Sequence, residues 1–320
     1  MADFDVFNGD ADGICALLQL RNAEPREATL VTGVKRDISL LKQVSAKAGD
    51  RVTTLDVSMD KNQSDLARIL EAGAEVFYVD HHFPGEVPKH ANLTHLINEA
   101  ADTCTSILIN KFLKGAFCDW AVVGAFGDNL KKSAQSLAQS LNLQSDDITH
   151  LENLGIYINY NGYGSDLADL HFEPASLYEK LLPYSKPLDF IRDGNEDFQR
   201  LEHGYQEDMS SAQNLRAQVA TDSSAVFILP NEKWARRVSG VYSNDLANQN
   251  PDRAHAVLTE KADGNYLVSV RAPLNNKTGA VDLCRQFPTG GGRAAAAGIN
   301  DLPASMFDDF VNSLEAMYTR

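Results

Sequence analysis

The residues best suited to chemistry form a short polar run at the end of an apolar segment. The segment Val76–Val79 leads directly into Asp80, His81 and His82, and Pro84-Gly85 follows. An apolar run of this length that stops at Pro-Gly is typical of a buried strand. In parallel sheets the carboxyl ends of the strands face the crevice where ligands bind. An acid and two imidazoles there form a metal site, an acid–base site, or a polar strand end whose hydrogen bonds are satisfied.

Further acids occupy similar positions along the chain. Asp10 and Asp12 follow the first predicted strand, Asp56 follows the third, and Asp128 follows the apolar segment Trp120–Phe126. With Asp80, five acids are expected in register at strand ends, where they would repel one another unless a cation neutralises them. Oxygen ligands with one or two imidazoles suit Mn²⁺ or Mg²⁺. The four cysteines are scattered and form no Cys-x-x-Cys, so a structural zinc site is not favoured.

The second half of the chain carries residues suited to binding an anion. Gly290, Gly291 and Gly292 precede Arg293 and an alanine-rich stretch. Successive glycine N–H groups can form an anion-binding nest, and a helix beginning at Arg293 would favour a phosphate at its N-terminus. Arg271, at the end of another predicted strand, could pair with phosphate oxygens. A flexible loop that leads into an alanine-rich helix is the alternative interpretation.

Alternating strand and helix patterns predict an α/β fold. Predicted strands cover residues 3–7, 28–34, 51–55, 76–79, 225–229, 254–258 and 266–270. Predicted helices include residues 39–48, 63–72, 104–113 and 307–317. We therefore expect a doubly wound parallel sheet in residues 1–190, a helical linker over residues 191–220, and a smaller C-terminal α/β domain over residues 221–320.

Composition restricts the partners. The net charge of −15 argues against binding to long duplex DNA, which needs a basic surface. Residues 216–320 carry 11 basic and 11 acidic side chains, so the whole charge falls on residues 1–215. No apolar run is long enough to span a membrane, and the acidic N-terminus does not resemble a signal peptide. A cytoplasmic protein with free thiols and no membrane partner is expected.

Taken in order, these motifs resemble the DHH-superfamily phosphoesterases that carry a C-terminal DHHA1 domain, in particular their oligoribonuclease and nucleotide phosphodiesterase members. The resembling segments are Asn8-Gly9-Asp10-Ala11-Asp12-Gly13, Asp56, Asp80-His81-His82, Gly127-Asp128, Arg271, Gly290-Gly291-Gly292-Arg293 and Ala296-Ala297-Gly298. The ordered set is far more specific than any single motif, and it covers nearly the whole chain.

The resemblance implies a site for two Mn²⁺ ions, with Mg²⁺ as an alternative. The implied ligands of the better-defined ion are Asp10, Asp56, His81 and Asp128. Asp56 would bridge to a second ion, whose site would include Asn8 and Asp12. Two departures weaken that second site, because the family usually has an acid at the position of Asn8 and often a histidine at the position of Phe4.

The resemblance also implies catalytic and substrate-binding roles. His82 would contact phosphate or protonate the leaving oxygen, Asp80 would orient the histidines, and Arg271 would offset charge in the transition state. Gly290, Gly291, Gly292 and Arg293 would contact substrate, although many relatives have histidine in place of Arg293. The resemblance further allows a homodimer.

The expected activity is hydrolysis of short linear dinucleotides, or very short oligonucleotides, to mononucleotides by metal-activated water. The acidic charge fits a small substrate better than a long single strand held in a basic channel. Three alternatives stay open: a 3′-phosphoadenosine 5′-phosphate phosphatase, a single-strand exonuclease of RecJ type, and a nucleotide sensor with a degenerate site. The glycine-arginine signature argues against a pyrophosphatase, because DHH pyrophosphatases carry a different second domain.

Overall fold

The computed structural model describes residues 1–193 and 195–319, so Gly194 and Arg320 lie outside the described residues. The chain divides into two compact units, Met1–His203 and a second unit that begins at Gly204. This division falls inside the predicted linker, which is helical over Asn195–Gln213 and then forms a short strand at Val219–Ala220. Among the described residues, no helix combines the length and hydrophobicity needed to cross a bilayer.

The first unit contains a five-stranded parallel sheet. Its strands are β1 (Asp3–Phe7), β2 (Thr29–Val31), β3 (Arg51–Leu55), β4 (Glu75–Asp80) and β5 (Leu93–Ile97). They lie in the order β2-β1-β3-β4-β5 and every pairing is parallel. Because β1, β3 and β4 are neighbours, the residues after these three strands meet at one edge of the sheet.

Helices cover both faces of this sheet, as the doubly wound prediction requires. The helices that begin in this unit are α1 (Ala11–Ala23), α2 (Gln63–Glu71), α3 (Thr105–Phe112), α4 (Cys118–Gly127), α5 (Lys131–Ala138), α6 (Ser145–Asn161), α7 (Pro174–Leu181), α8 (Pro187–Asp193) and α9 (Asn195–Gln213). On one face, Val6 and Val52 pack with Leu66 of α2. On the other, buried Arg21 of α1 forms an ion pair with Asp5 of β1.

The helix predicted over residues 39–48 is wrong. Only a short 3₁₀ turn forms, at Leu40–Gln43. Leu40 and Leu41 are fully buried, as their hydrophobicity requires. The buried side chain of Asn62 holds this segment as a loop, since it accepts a hydrogen bond from Leu41 N at 3.1 Å and donates one to Ile38 O at 2.7 Å. Tertiary hydrogen bonds here replace those of a helix.

The apolar segment before Asp128 is a helix. Residues Cys118–Gly127 form α4, which is buried on nearly all sides. A helix that is hydrophobic all round is favoured where other helices surround it, and α1, α3, α5 and α6 do so. The expectation that Asp128 follows a strand end is therefore wrong, since Asp128 caps the C-terminus of α4.

The second unit contains a six-stranded mixed sheet. Its elements are β6 (Val219–Ala220), β7 (Ser224–Leu229), α10 (Lys233–Gln249), β8 (Ala254–Glu260), β9 (Tyr266–Arg271), α11 (Ala280–Cys284), β10 (Gly290–Gly292), β11 (Ala296–Leu302) and α12 (Phe307–Tyr318). The strand order is β10-β11-β9-β8-β7-β6, and only β7 and β8 pair in parallel. Phe310 and Leu314 of α12 pack into the apolar core on one face.

The glycine-rich segment of this unit is a β-hairpin. Gly290–Gly292 forms β10, which pairs antiparallel with β11, so the helix considered at Arg293 is absent. A Cβ at Gly290 would collide with the carbonyl oxygen of Cys284, and one at Gly292 would collide with Ala297. Close backbone approach explains these two glycines. The alanines, despite their helix propensity, extend because sheet pairing with β9 outweighs local preference.

Candidate metal and acid–base site

Asp56 and two histidines converge at the edge of the first sheet. One carboxylate oxygen of Asp56, Oδ1, lies 3.4 Å from His81 Nε2 and 3.9 Å from His82 Nδ1. Ligand atoms of these three residues all lie within 4.8 Å of one another, close enough to hold one metal ion. Asp56 follows β3 and the histidines follow β4, so parallel pairing of adjacent strands produces this cluster.

Asp56 has a strained backbone. Its φ angle is +58°, in the left-handed region that non-glycine residues seldom adopt. The strand pairing holds it there, since Asp56 N donates to Val79 O at 3.0 Å. Burial, together with the nearby carboxylates of Asp10 and Asp12, raises the pKa of Asp56 well above its usual value. Backbone strain and an unfavourable buried charge at one residue are typical of functional sites.

His81 is oriented by a backbone carbonyl. Its Nδ1 lies 3.1 Å from Thr103 O, and since a carbonyl only accepts, Nδ1 carries the proton. Nε2 then points toward Asp56 and also lies 3.8 Å from Asp12 Oδ2. Histidines that bind metals are commonly fixed in this way, with one nitrogen donating to a carbonyl and the other facing the ion.

His82 forms an acid–base pair with Asp80. Its Nδ1 lies 2.7 Å from Oδ1 of the fully buried Asp80. Burial disfavours the imidazolium, but the Asp80 carboxylate outweighs burial and raises the pKa of His82 above its usual value. The side chain of His82 remains 32% exposed. A partly exposed imidazole with a raised pKa and a fixed orientation can donate a proton near neutral pH.

Asp12 supports the neighbouring helix. Its two oxygens accept hydrogen bonds from the backbone N–H groups of Thr105 and Ser106, each at 2.7 Å. A carboxylate at a helix N-terminus is electrostatically favourable, so Asp12 ties α1 to the start of α3. Burial and the charges of Asp128 and Asp10 raise the pKa of Asp12, against the lowering influence of His81. The predicted metal-ligand role of Asp12 stays a prediction.

Asp10 caps α1 and binds a lysine. Its Oδ1 accepts from Asp12 N at 3.0 Å and Gly13 N at 3.1 Å, and its Oδ2 forms an ion pair with Lys35 Nζ. Burial disfavours the charged form of Asp10, but Lys35 outweighs burial and keeps the pKa of Asp10 below its usual value. A Cβ at Gly13 would collide with the carbonyl oxygen of Asn8, so this turn requires glycine.

Asn8 and Asp128 complete the polar edge. Asn8 Nδ2 donates to Lys35 O at 3.3 Å, while the buried Asn8 Oδ1 has no hydrogen-bond partner in the described part of the chain. Asp128 reaches the site from the end of α4 and is close enough to raise the pKa of both Asp12 and Lys35. Asn8 and Asp128 therefore lie at the edge where they were predicted, although Asp128 comes from the end of a helix and not from the end of a strand.

The donor set fits a hard divalent cation. The carboxylates and imidazoles form a mixed oxygen and nitrogen site of the kind that Mn²⁺ or Mg²⁺ prefers. Within the described residues, Asp80 Oδ2 and Asn8 Oδ1 are buried without a hydrogen-bond partner. Buried polar atoms without a partner are costly, so the edge is better satisfied with a cation than without one.

Sequence reasoning missed several residues that shape this edge. Lys35 follows β2. A search for basic as well as acidic residues after predicted strands would have found it. Asn159, which accepts from Lys35 Nζ at 2.8 Å, comes from the distant helix α6 and gave no local signal. The backbone atoms of Thr103 and Thr105 also act here, and no side-chain pattern predicts them.

The predicted substrate residues all lie in the second unit. Arg271 ends β9 and donates from Nε to Asn244 Oδ1 at 2.8 Å. Arg293 lies in the hairpin turn, where its N–H donates to Ala296 O at 2.8 Å. The helix N-terminus expected to favour a phosphate beside Gly290, Gly291 and Gly292 is absent, because these residues pair as a strand.

Comparisons with known proteins show what the sequence and the fold resemble. Residues 5–141 match the model of the DHH family, N-terminal domain. Curated proteins give no significant sequence match. The fold resembles the solved DHH domain of a protein described as a member of a ribosomal protein family, with a TM-score of 0.69 and 12% identity over 98% of this chain and 86% of that one.

Two further solved structures share the fold. One is the exonuclease RecJ bound to manganese, with a TM-score of 0.63 and 17% identity over 98% of this chain and 89% of that one. The other is the pGpG-specific phosphodiesterase PggH from Vibrio cholerae, with a TM-score of 0.55 and 15% identity over 99% of this chain and 98% of that one. Residues 5–141 of this chain therefore match the DHH family, N-terminal domain, and the fold of these solved structures is shared over nearly the whole chain.

Proposed function

We propose that the protein is a Mn²⁺-dependent phosphodiesterase that hydrolyses short linear dinucleotides to mononucleotides. One observation carries the proposal: Asp56 Oδ1 lies 3.4 Å from His81 Nε2, beside the His82–Asp80 pair with its contact of 2.7 Å. A cation-binding pair next to an oriented acid is the arrangement that hydrolysis of a phosphoester requires.

Different residues would bind the cation and donate the proton. Asp56 and His81 would hold the cation, with Asp128 nearby as a further oxygen ligand. A divalent cation there would polarise the phosphoryl group and lower the pKa of water. His82, protonated at Nδ1 toward Asp80, would use Nε2 to protonate the leaving ribose oxygen. The strain at Asp56 would keep its carboxylate aimed at the cation before the substrate arrives.

Charge supports a small substrate. The net charge of −15 falls entirely on residues 1–215, so the unit with the candidate site has no overall basic surface for a long strand. A dinucleotide presents few phosphates and can be held by local contacts. PggH, described as pGpG-specific, shares the fold over 98% of its own length. The substrate roles of Arg271, Arg293 and the glycines Gly290, Gly291 and Gly292 are part of the same proposal.

A substrate panel tests the proposal. Purified protein with Mn²⁺ is incubated with linear dinucleotides, cyclic dinucleotides, a 3′,5′-bisphosphate and longer single strands, and the products are separated by chromatography. We expect mononucleotides from the linear dinucleotides and none after chelation of the metal. Asp56→Ala should abolish turnover, whereas the control Asp222→Asn, at an exposed position between β6 and β7, should leave it unchanged.

The same panel identifies the competing functions. Release of phosphate from the bisphosphate alone would mean a phosphatase, and degradation confined to longer strands would mean an exonuclease. Tight nucleotide binding without product over hours would mean a sensor. Any of these outcomes would overturn the proposal.

A further inference from the structure

Lys35 is built into the same edge of the sheet as the candidate metal ligands. It follows β2, and its Nζ forms an ion pair with Asp10 Oδ2 and a 2.8 Å hydrogen bond with Asn159 Oδ1. The ammonium also lies 5.3 Å from the centre of the Tyr163 ring, within range of a cation–π contact. Two segments, the turn after β1 and the end of α6 with the residues after it, therefore hold one positive charge in a single position.

The backbone of Lys35 is held as firmly as its side chain. Lys35 N donates to Gly162 O at 2.8 Å, and Lys35 O accepts from Asn8 Nδ2 at 3.3 Å. The carboxylate of Asp10, the amide oxygen of Asn159 and the ring of Tyr163 surround the ammonium of Lys35, so its charge has compensating partners where it lies. A lysine fixed in this way adds a permanent charge rather than a mobile surface group.

The charges at this edge leave little room for a second divalent ion. Asp56 and His81 face each other without Lys35 between them, and they suit one cation. On the other side, Asp10 already has a cationic partner, and Asn8 offers a neutral amide oxygen in place of a carboxylate. A second divalent ion at Asp10 would have to displace the ammonium or lie beside it, and like charges at that distance repel strongly.

We propose that Lys35 takes the place of a second divalent cation, so that each chain binds one Mn²⁺ at Asp56 and His81 while Lys35 neutralises Asp10. This inference adds the number of metal ions to the proposed function, and it rests on that function for the identity of the ion. Lys35 then acts as a positioning residue that holds Asp10 in place.

Metal stoichiometry tests this inference without measuring activity. The protein is equilibrated with excess Mn²⁺ by dialysis, and bound manganese per chain is measured by mass spectrometry. Electron paramagnetic resonance is recorded on the same samples, because two ions a few ångströms apart give a spin-coupled signal. We expect one Mn²⁺ per chain and an uncoupled spectrum. Lys35→Met, which keeps the length and removes the charge, should raise the count to two by freeing Asp10.

The control is Lys131→Met, which removes an exposed lysine paired with Glu152 at 3.0 Å. It should keep a count of one. Two ions in the wild type, or a count of one in a folded Lys35→Met, would overturn the inference. If Lys35→Met does not fold, the wild-type count decides alone. A count of one with no hydrolysis of any dinucleotide would instead refute the proposed function and leave the role of Lys35 standing.

Discussion

Asp56→Asn should stabilise the metal-free protein while abolishing its function. In the absence of a cation, Asp56 is buried beside the carboxylates of Asp10 and Asp12, which disfavour its charge. Asparagine has the same shape, carries no charge and adopts a positive φ angle such as the +58° of Asp56 more readily than most residues. Charge and backbone therefore both favour the variant.

The size of the effect follows from the electrostatics. Two like charges about 4 Å apart interact with about 4 kcal/mol at an effective dielectric constant of about 20. Lys35 and the two histidines offset part of this, so we expect a net gain of about 2 kcal/mol in the free energy of unfolding. For a unit of this size, that corresponds to a rise of roughly 4–8 °C in the unfolding temperature.

The assay is urea unfolding at pH 8 with a chelator present, followed by circular dichroism. Mn²⁺ should reverse the order of stability, because an ion at about 100 times its dissociation constant adds about 2.7 kcal/mol to the wild type and nothing to the variant. Asp222→Asn, at an exposed position between β6 and β7, serves as the control and should change stability by less than about 0.5 kcal/mol in either condition. A metal-free Asp56→Asn less stable than the wild type would refute the electrostatic reasoning.

Three further predictions concern other residues. His82→Ala should bind Mn²⁺ normally and lose about 10²- to 10⁴-fold in kcat, since it removes only the acid, whereas His81→Ala should lose Mn²⁺ binding in calorimetry; equal metal binding by both variants would contradict these roles. Phe83 follows His82 and is 64% exposed, so its ring is accessible and could stack on a nucleobase. Phe83→Ala should raise KM for a dinucleotide by about 5- to 100-fold, and the control Phe112→Ala, at the far end of α3, should not. Burial, and to a lesser extent Arg253, lowers the pKa of His255 to about 4 in the folded protein. In the unfolded chain the same imidazole takes up a proton near its usual pKa of 6.5. Stability from this group is present above pH 6.5 and lost as the pH falls toward 4, by up to about 3 kcal/mol, and His255→Gln should remove that loss in urea unfolding at pH 7 and pH 5.

The sequence by itself identified the strand ends that build the candidate site. Apolar runs before Asp10, Asp56 and Asp80 could be recognised as strands, because a short apolar or alternating run with an abrupt polar stop is typical of a strand in an α/β protein. A parallel sheet places such ends on one edge whatever the details of packing. The convergence of Asp56, His81 and His82 followed from those two facts, and the DHH resemblance was confirmed over residues 5–141.

Other features were decided by tertiary structure. A short apolar run does not distinguish a buried strand from a buried helix, so only packing among other helices made Cys118–Gly127 helical and carried Asp128 to the site. The alanine-rich stretch became β11 because β9 offered hydrogen-bond partners that local propensity ignores. The ammonium of Lys35 lies between Asp10 and Asn159, residues 25 and 124 positions away. Contacts over such separations depend on how the elements pack, which no local pattern encodes, and at this edge they decide which acid already has a positive partner.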